Sequence, residues 1–194
     1  METSDSVLLE RSLDGDAEAY GALVRRHQDA VFNLLVKMTG NWHDADELTQ
    51  EAFLRAYRKL ATYDARYSFK NWIITIAVNL TKNRFRSVFR RRRTEDAVAN
   101  TALATDPVTT PADPRLADVD EALAQLPVNL RAPLVLRHLE GFSYQEIART
   151  LGVGVSAAKM RVMRARDELV QRLERSNRNH NNESRTKPSN PQLA

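Results

Sequence analysis

Cysteine is absent from the 194 residues. Disulfides, thiolate zinc sites and cysteine nucleophiles are thereby excluded, and the composition suits a reducing cytoplasm. Glycine is scarce, at six residues, and long stretches without Gly or Pro predict helices. Unbroken apolar runs are a few residues long, far short of the ~20 that a membrane-spanning helix needs. The opening METSDSVLLERSLDGD is acidic and has no apolar signal core. A cytoplasmic protein with no direct membrane insertion is expected. The four histidines, His27, His43, His138 and His180, are scattered. With no nucleophile–base pair and no ligand cluster, no catalytic residue, metal, cofactor or small-molecule substrate is expected, and the chain reads as a non-enzyme.

Acids are missing from one long window. Between Asp64 and Glu95 there is neither Asp nor Glu, while Arg66, Lys70, Lys82, Arg84, Arg86 and the run Arg90, Arg91, Arg92, Arg93 all fall there. The sign then reverses: Glu95, Asp96, Asp106, Asp113, Asp118 and Asp120 face a lone Arg115. From Gly141 to Arg166 Glu146 is the only acid. The net charge is only +4, but two basic patches flanking an acidic spacer point to a polyanionic partner, most often nucleic acid.

Periodicity divides the chain. Tyr20, Leu23, Val24, Val31, Leu34, Leu35 and Met38 recur at helical spacing behind an Asp16 N-cap and stop at Gly40-Asn41. A second helix is expected from Asp44 to about Leu60, with Leu48, Ala52, Phe53, Ala56, Tyr57 and Leu60 on one face. Residues 62–68 read as a loop, and a third helix runs from about Phe69 to Phe89 or beyond. Residues 94–114 are rich in Ala, Thr and Asp and hold Pro107, Pro111 and Pro114, so they read as a flexible linker. Helical patterning resumes at Leu116. Residues 175–194 are Asn, Ser, Arg and Pro in character and read as a disordered tail.

The stretch SYQEIARTLGVGVSAAKMRVMRARDEL, residues 143–169, has the form of a helix-turn-helix. Ser143 and Glu146 make a capping box. Ala148 allows two helices to cross closely, and Gly152 gives the turn its freedom. Ala158, Val162, Ala165 and Leu169 form the inner face of the second helix. Its outer face holds Ser156, Lys159, Met160 and Met163, with Arg161, Arg164 and Arg166 alongside. Lys159 can reach acceptors on base edges, and the arginines can hold phosphates. A helical hairpin with a solvated basic face is the plainer alternative.

The stretch SFKNWIITIAVNLTKNRFRSVFRRRR, residues 68–93, carries two stripes. Ile73, Ile76, Ala77 and Leu80 form a core face. Trp72, Thr75, Asn79, Lys82 and Arg86 form a second face that offers a ring, then hydrogen-bonding groups, then cations. Unpaired bases stack on such rings for about 1–3 kcal/mol with little sequence demand. Placement of Trp72 in the core is an equal alternative. Upstream, Asp44, Asp46, Glu47 and Glu51 crowd a helix start beside Gln50. Macrodipole compensation, with Asp44 and Glu47 as a capping box, accounts for part of this. An acidic docking surface for a basic partner is at least as good a reading.

Together, DADELTQEAFLRAYRKL at 44–60, FKNWIITIAVNLTKNRFR at 69–86 and LPVNLRAPLVLRHLEGFSYQEIARTLGVGVSAAKMRVMRAR at 126–166 resemble the extracytoplasmic-function (ECF, group 4) sigma factors of the sigma-70 family, promoter-specificity subunits of bacterial RNA polymerase. The resemblance covers about residues 7–173. It implies an all-α fold of two small helical domains joined by a flexible linker: sigma region 2 over 1–93, the linker over 94–116, and sigma region 4 over 117–174, before the 175–194 tail. It implies that Asp44, Asp46, Glu47, Gln50 and Glu51 dock on the clamp helices of the largest polymerase subunit, with the flap as a further contact. Tyr63, Arg66, Tyr67, Ser68, Trp72, Asn79, Lys82 and Arg86 would read and open the −10 element. Ser156, Lys159, Met160, Arg161, Met163, Arg164 and Arg166 would read the −35 element. An anti-sigma factor is the expected regulator. Where the family usually has Gly-Thr-Val-Lys-Ser-Arg, this chain has Ser156-Ala157-Ala158-Lys159-Met160-Arg161: Lys159 and Arg161 keep the pattern, while Met160 replaces a small hydroxyl, so the resemblance does not fix the −35 preference. The two elements would lie roughly 58 Å apart, for about 17 base pairs at about 3.4 Å each. Residues 94–114 could span up to roughly 70 Å at about 3.3 Å per residue. A stand-alone helix-turn-helix regulator is the competing reading of the same residues, and an enzyme or RNA-binding module built on the 68–93 helix is a third.

Overall fold

The computed structural model describes residues 3–94 and 114–186. Among them every regular element is helical: α1 Asp5–Leu13, α2 Ala17–Thr39, α3 Trp42–Arg58, a 3₁₀ turn Leu60–Thr62, α4 Phe69–Thr94, α5 Pro114–Ala124, α6 Val128–His138, α7 Tyr144–Leu151 and α8 Val155–Thr186. The predicted linker falls mostly on residues 95–113, outside the described residues.

Local chemistry sets the boundaries. The Asp16 carboxylate accepts the Ala19 N–H at 3.1 Å and caps α2, while Arg11 grips the same carboxylate from α1. Gly40 ends α2 in the left-handed region, φ 69°, and donates to the Val36 carbonyl at 2.8 Å. The next helix starts earlier than the sequence reading had it. Asn41 caps α3 by accepting the Asp44 N–H at 2.9 Å, so Asp44 is the third helical residue rather than the cap. The expected capping box with Glu47 does not form; both carboxylates bond elsewhere.

α1, α2, α3 and α4 pack as one bundle. Leu23, Leu34, Leu35, Met38, Leu48, Ile73 and Ile74 lie fully inside, each contributing about 1.5–3 kcal/mol of burial. The Tyr20 hydroxyl donates to the Phe53 carbonyl at 2.6 Å, tying α2 to α3. His27 is buried and meets the Asp5 carboxylate at 2.8 Å. On α4 the predicted inward stripe is too narrow. Ile73, Ala77 and Leu80 are buried, but so are Ile74, Val78 and Thr81, because α2 and α3 flank the helix on two sides.

α5, α6, α7 and α8 form a second cluster around Leu126, Leu136, Phe142, Ile147 and Ala158. α8 runs to Thr186. This corrects the expectation of disorder from residue 175: no Gly or Pro interrupts the chain between Gly154 and Pro188, and the helix continues through its polar stretch. Residues 187–194 lie outside the described residues.

The two clusters touch. α2 meets α5 and α6, and α4 meets α6 and α7. Arg131 of α6 is 5% exposed and has no carboxylate partner among the described residues. It donates instead to the carbonyls of Met38 (2.8 Å), Leu126 (2.8 and 3.2 Å) and Ala124. Met38 and Ala124 sit in the last turns of α2 and α5, where carbonyls lack helical partners and the dipole favours a cation. Burial pushes the guanidinium down to about 10, which still leaves it charged at neutral pH.

Candidate nucleic-acid interface

The helix-turn-helix is built as its residue types require. The Ser143 hydroxyl accepts the Glu146 N–H at 3.2 Å, and the Glu146 carboxylate accepts the Ser143 N–H at 2.8 Å. The Ser143 N–H does most to hold Glu146 below the usual carboxylate range. Desolvation opposes it, and the Ser143 hydroxyl and Asn71 amide add to the lowering. Gly152 closes α7 at φ 68°, where a side chain would be strained. Ala158, Val162 and Ala165 are buried against the rest of the cluster. The opposite side of α8 is open: Ser156, Lys159, Arg164 and Arg166 are exposed, Met160 and Met163 are 47% and 42% exposed, and Arg161 is half-buried. Arg166 lies 3.7 Å from Asp167. This face combines cations with two soft apolar tips of the kind that can meet thymine methyls in a major groove.

The candidate −10 residues lie along the loop after the 3₁₀ turn and down α4. Tyr63 is half-buried. Its hydroxyl donates to the Tyr67 carbonyl, and its ring stands edge-on to Trp72 at 5.3 Å. Trp72 also touches Phe69, at 5.9 Å, and is half-buried. Trp72 is thus partly in the core, packed on Tyr63 and Phe69, and partly accessible. Arg66 is exposed but folds back onto Asp64, giving three charged hydrogen bonds of 3.0, 2.9 and 2.6 Å and holding Asp64 below the usual carboxylate range. Ser68 is exposed and accepts the Asn71 N–H at 3.2 Å. Asn79 and Arg86 are exposed. Tyr67 and Lys82 are covered in part by α7: Arg149 sits 4.8 Å over the Tyr67 ring, and Lys82 donates to the Leu151 carbonyl at 2.9 Å. Burial, then the charges of Arg86 and Arg161, pull the Lys82 ammonium below its ordinary value.

The acids at the start of α3 are partly neutralised within the chain. Arg84 forks between Asp44 at 2.6 Å and Glu47 at 2.7 Å. Asp46 accepts from Gln50 at 3.0 Å, and Glu51 pairs with Arg55 at 2.5 Å. Arg84 counts among the bases of the acid-free window, yet it turns away from them. It lies two residues from both Lys82 and Arg86, nearly opposite them around the helix. Sequence reasoning also missed Lys70, Asn71, Glu140, Glu146 and Arg149 as contact residues between the clusters; their partners lie about 70–80 residues away in sequence.

Among the described residues no helix is long and apolar enough to cross a membrane, and no three His, Asp or Glu side chains are grouped to hold a metal.

Comparison with known proteins matches two family models, Sigma-70 region 2 over residues 23–93 and Sigma-70 region 4 over residues 116–169. The ECF RNA polymerase sigma-E factor of Haemophilus influenzae is 32% identical over 182 residues, covering 88% of this chain and 96% of that protein. Among solved structures, CnrH in complex with the cytosolic domain of CnrY is 27% identical at a TM-score of 0.63, covering 88% of this chain and 97% of that one. The sigma factor RpoE of Bartonella quintana, solved with the anti-sigma factor NepR, shares the fold at a TM-score of 0.69 and 24% identity, over 81% of this chain and 98% of that one. Built from these two helical units and matched over most of its length, the chain belongs to the extracytoplasmic-function sigma factors of the sigma-70 family.

Proposed function

We propose a division of labour among three faces of this sigma factor. A sigma factor is a promoter-specificity subunit and not an enzyme; core RNA polymerase performs the chemistry. The domain division is residues 1–93, a linker over 94–116 and 117–174, although Thr94 closes α4 and Pro114 already opens α5, so the linker proper is shorter at both ends.

The α8 face of Ser156, Lys159, Met160, Arg161, Met163, Arg164 and Arg166 reads the −35 element. Lys159 and the methionines contact base edges, and the flanking arginines hold phosphates. The surface of Tyr63, Arg66, Tyr67, Ser68, Trp72, Asn79, Lys82 and Arg86 takes the −10 element as a separated strand. It lowers the free energy of melting because it binds the open form better than the duplex. Asp44, Asp46, Glu47, Gln50 and Glu51 dock on the largest polymerase subunit, where a basic partner would compete with Arg84 for Asp44 and Glu47. The protein works in the cytoplasm beside core polymerase, and an anti-sigma factor restrains it. Two chains of this fold were solved with a second protein bound: CnrH with the cytosolic domain of CnrY, and the sigma factor RpoE with the anti-sigma factor NepR.

The observation that carries this reading is the bare α8 face, with Ala158, Val162 and Ala165 fully turned inward behind it. A gel shift on promoter-length DNA, with and without core polymerase, tests it. Specific binding should require core. Tight specific binding by the free chain would favour a self-sufficient helix-turn-helix repressor or activator instead.

A further inference from the structure

His27 and Asp5 take no part in the three faces assigned above, yet they meet beneath one of them. His27, on α2, is 9% exposed. Its Nε2 lies 2.8 Å from one Asp5 carboxylate oxygen, and Arg26 donates to the other at 2.6 Å. Arg26 also donates to the Thr3 carbonyl at 2.8 Å. These bonds pin the start of α1 to the middle of α2, and with both oxygens held the carboxylate cannot rotate away. A hydrogen bond at one edge of a packed ring fixes which way its face points. Here the His27 face points at Phe69, the ring centroids 5.4 Å apart at 53°. Phe69 is 1% exposed and opens α4. It touches Trp72 at 5.9 Å and Tyr63 at 6.3 Å, and Tyr63 stands against Trp72 at 5.3 Å. Asp5 is near enough to act on this group: burial, then the charges of Asp5 and Asp64, hold the Tyr63 hydroxyl above its ordinary value. The contacts run without a gap from a half-buried carboxylate to the ring proposed to meet an unpaired base.

We infer that Asp5 and His27 are positioning residues for strand capture: held at one edge by Asp5, the His27 ring is the floor on which Phe69, Tyr63 and Trp72 take the arrangement that receives an unpaired −10 base. The inference rests on the assignment of Trp72 to the −10 strand proposed above. A stacking ring binds best when its orientation is set before the base arrives, because ordering it afterwards subtracts from the binding. Tyr63 and Trp72 are half-buried, so their outer sides lack packing and the ordering must come from below. α2 supplies it through a polar ring set in an apolar stripe. The neighbours of His27 on that stripe, Leu23, Val31 and Leu34, are fully buried and leave no polar atom to satisfy. An imidazole among them needs a partner, and α1 brings one from 22 residues upstream. A residue that only filled the core would need no carboxylate, and an apolar ring would serve as well. The bond between His27 and Asp5 is what sets a positioning role apart from a packing role.

The chain has two tryptophans, Trp42 and Trp72. Trp42 is 56% exposed on α3, and Trp42→Phe leaves Trp72 as the single fluorescent reporter. In that background the full-length chain is compared with its Asp5→Ala, His27→Phe and double variants. Asp5→Ala leaves the core filled, and His27→Phe keeps a ring over Phe69. Trp72 should become more accessible to acrylamide quenching in each single variant. With core polymerase, permanganate reactivity of the −10 thymines should develop on the order of tenfold more slowly, while affinity for core is unchanged. The double variant should be no slower than the slower single one, as two groups acting through one bond require. Normal opening in His27→Phe would show that filling the core suffices, and it overturns the role of the bond. Opening and core affinity lost in equal proportion in Asp5→Ala overturn positioning in favour of a general loss of fold. Multiplying effects in the double variant count against a shared bond. Failure of the face assignment has its own signature: Trp72→Ala opens the promoter at the normal rate. That result removes strand capture from the proposal even where Trp72 quenching responds to Asp5→Ala.

Discussion

α4 and α8 are built from similar material, an apolar stripe beside a row of cations, and they end in different circumstances. The polar side of α8 is open at Ser156, Lys159, Met160, Met163 and Arg164. The polar side of α4 meets Glu140, Glu146 and the Leu151 carbonyl. A run of bases is therefore not a description of a surface. Its neighbours decide whether the charges are available, and those neighbours lie in a different part of the chain. Arg84 makes the same point within one helix, since α3 takes it while Lys82 and Arg86 face elsewhere.

The largest expected effect falls on what joins the two regions. Arg131→Met strands the carbonyls of Met38, Leu126 and Ala124 inside the protein. It should cost about 2–4 kcal/mol in urea unfolding, and it should loosen the contact of α2 with α6. An unchanged midpoint would mean that these carbonyls are solvated in solution.

Next come the two faces themselves. Trp72→Ala and Asn79→Ala should each slow open-complex formation while core binding persists. The loss for Trp72 should be about 1–3 kcal/mol, the worth of a stacked base. Normal promoter opening in both would remove α4 from strand capture. Lys159→Ala should cost about 1–3 kcal/mol of discrimination at a −35 position, read as a flattened preference in a promoter library. An identical preference would show that the exposed face of α8 does not read bases. A smaller effect is expected at α3: Asp46→Lys/Glu47→Lys should weaken core association on the order of tenfold, and unchanged affinity would refute docking there.

The smallest effect is on pH. Glu146 and Asp5 both sit below their ordinary values, Asp5 because bonds and charge from Arg26 and His27 outweigh its desolvation. A depressed carboxylate contributes stability that is complete above its unfolded value and is lost as pH falls through the folded one. Glu146→Gln should therefore differ from wild type by under ~1 kcal/mol at pH about 7, and the difference should vanish in strong acid. A gap that widens in acid would contradict the assigned sign.

Much of this was legible locally. The Ser143–Glu146 box, the Gly152 turn, the inner stripe of α8 and the caps at Asp16 and Gly40 are each written within a few residues, and the structure has them where the pattern places them. The α3 start was placed too late because Asp44 was read as its beginning and Asn41 only as the end of the previous helix, although Asn41 follows Gly40 directly and is itself a good cap. Ile74 and Val78 on α4 were missed because a single amphipathic stripe assumes one packing partner, and α4 packs against both α2 and α3 within its bundle. The helix past residue 174 was missed because polarity was read as disorder, although nothing there breaks a helix. The cover of α7 on α4 was out of reach in kind. It joins residues 71 with 146 and 75 with 150, and no short-range pattern encodes that.

The central claim is that this chain lends core polymerase its promoter choice through two separately held DNA faces. Transcription of fragmented genomic DNA by core polymerase, with and without the full-length chain and with 5′ ends mapped, tests it most directly. The account predicts discrete start sites that need the chain, share two upstream elements, and lose the distal one's influence in Lys159→Ala. Starts that are unchanged by adding the chain, or that carry no common upstream sequence, would contradict it.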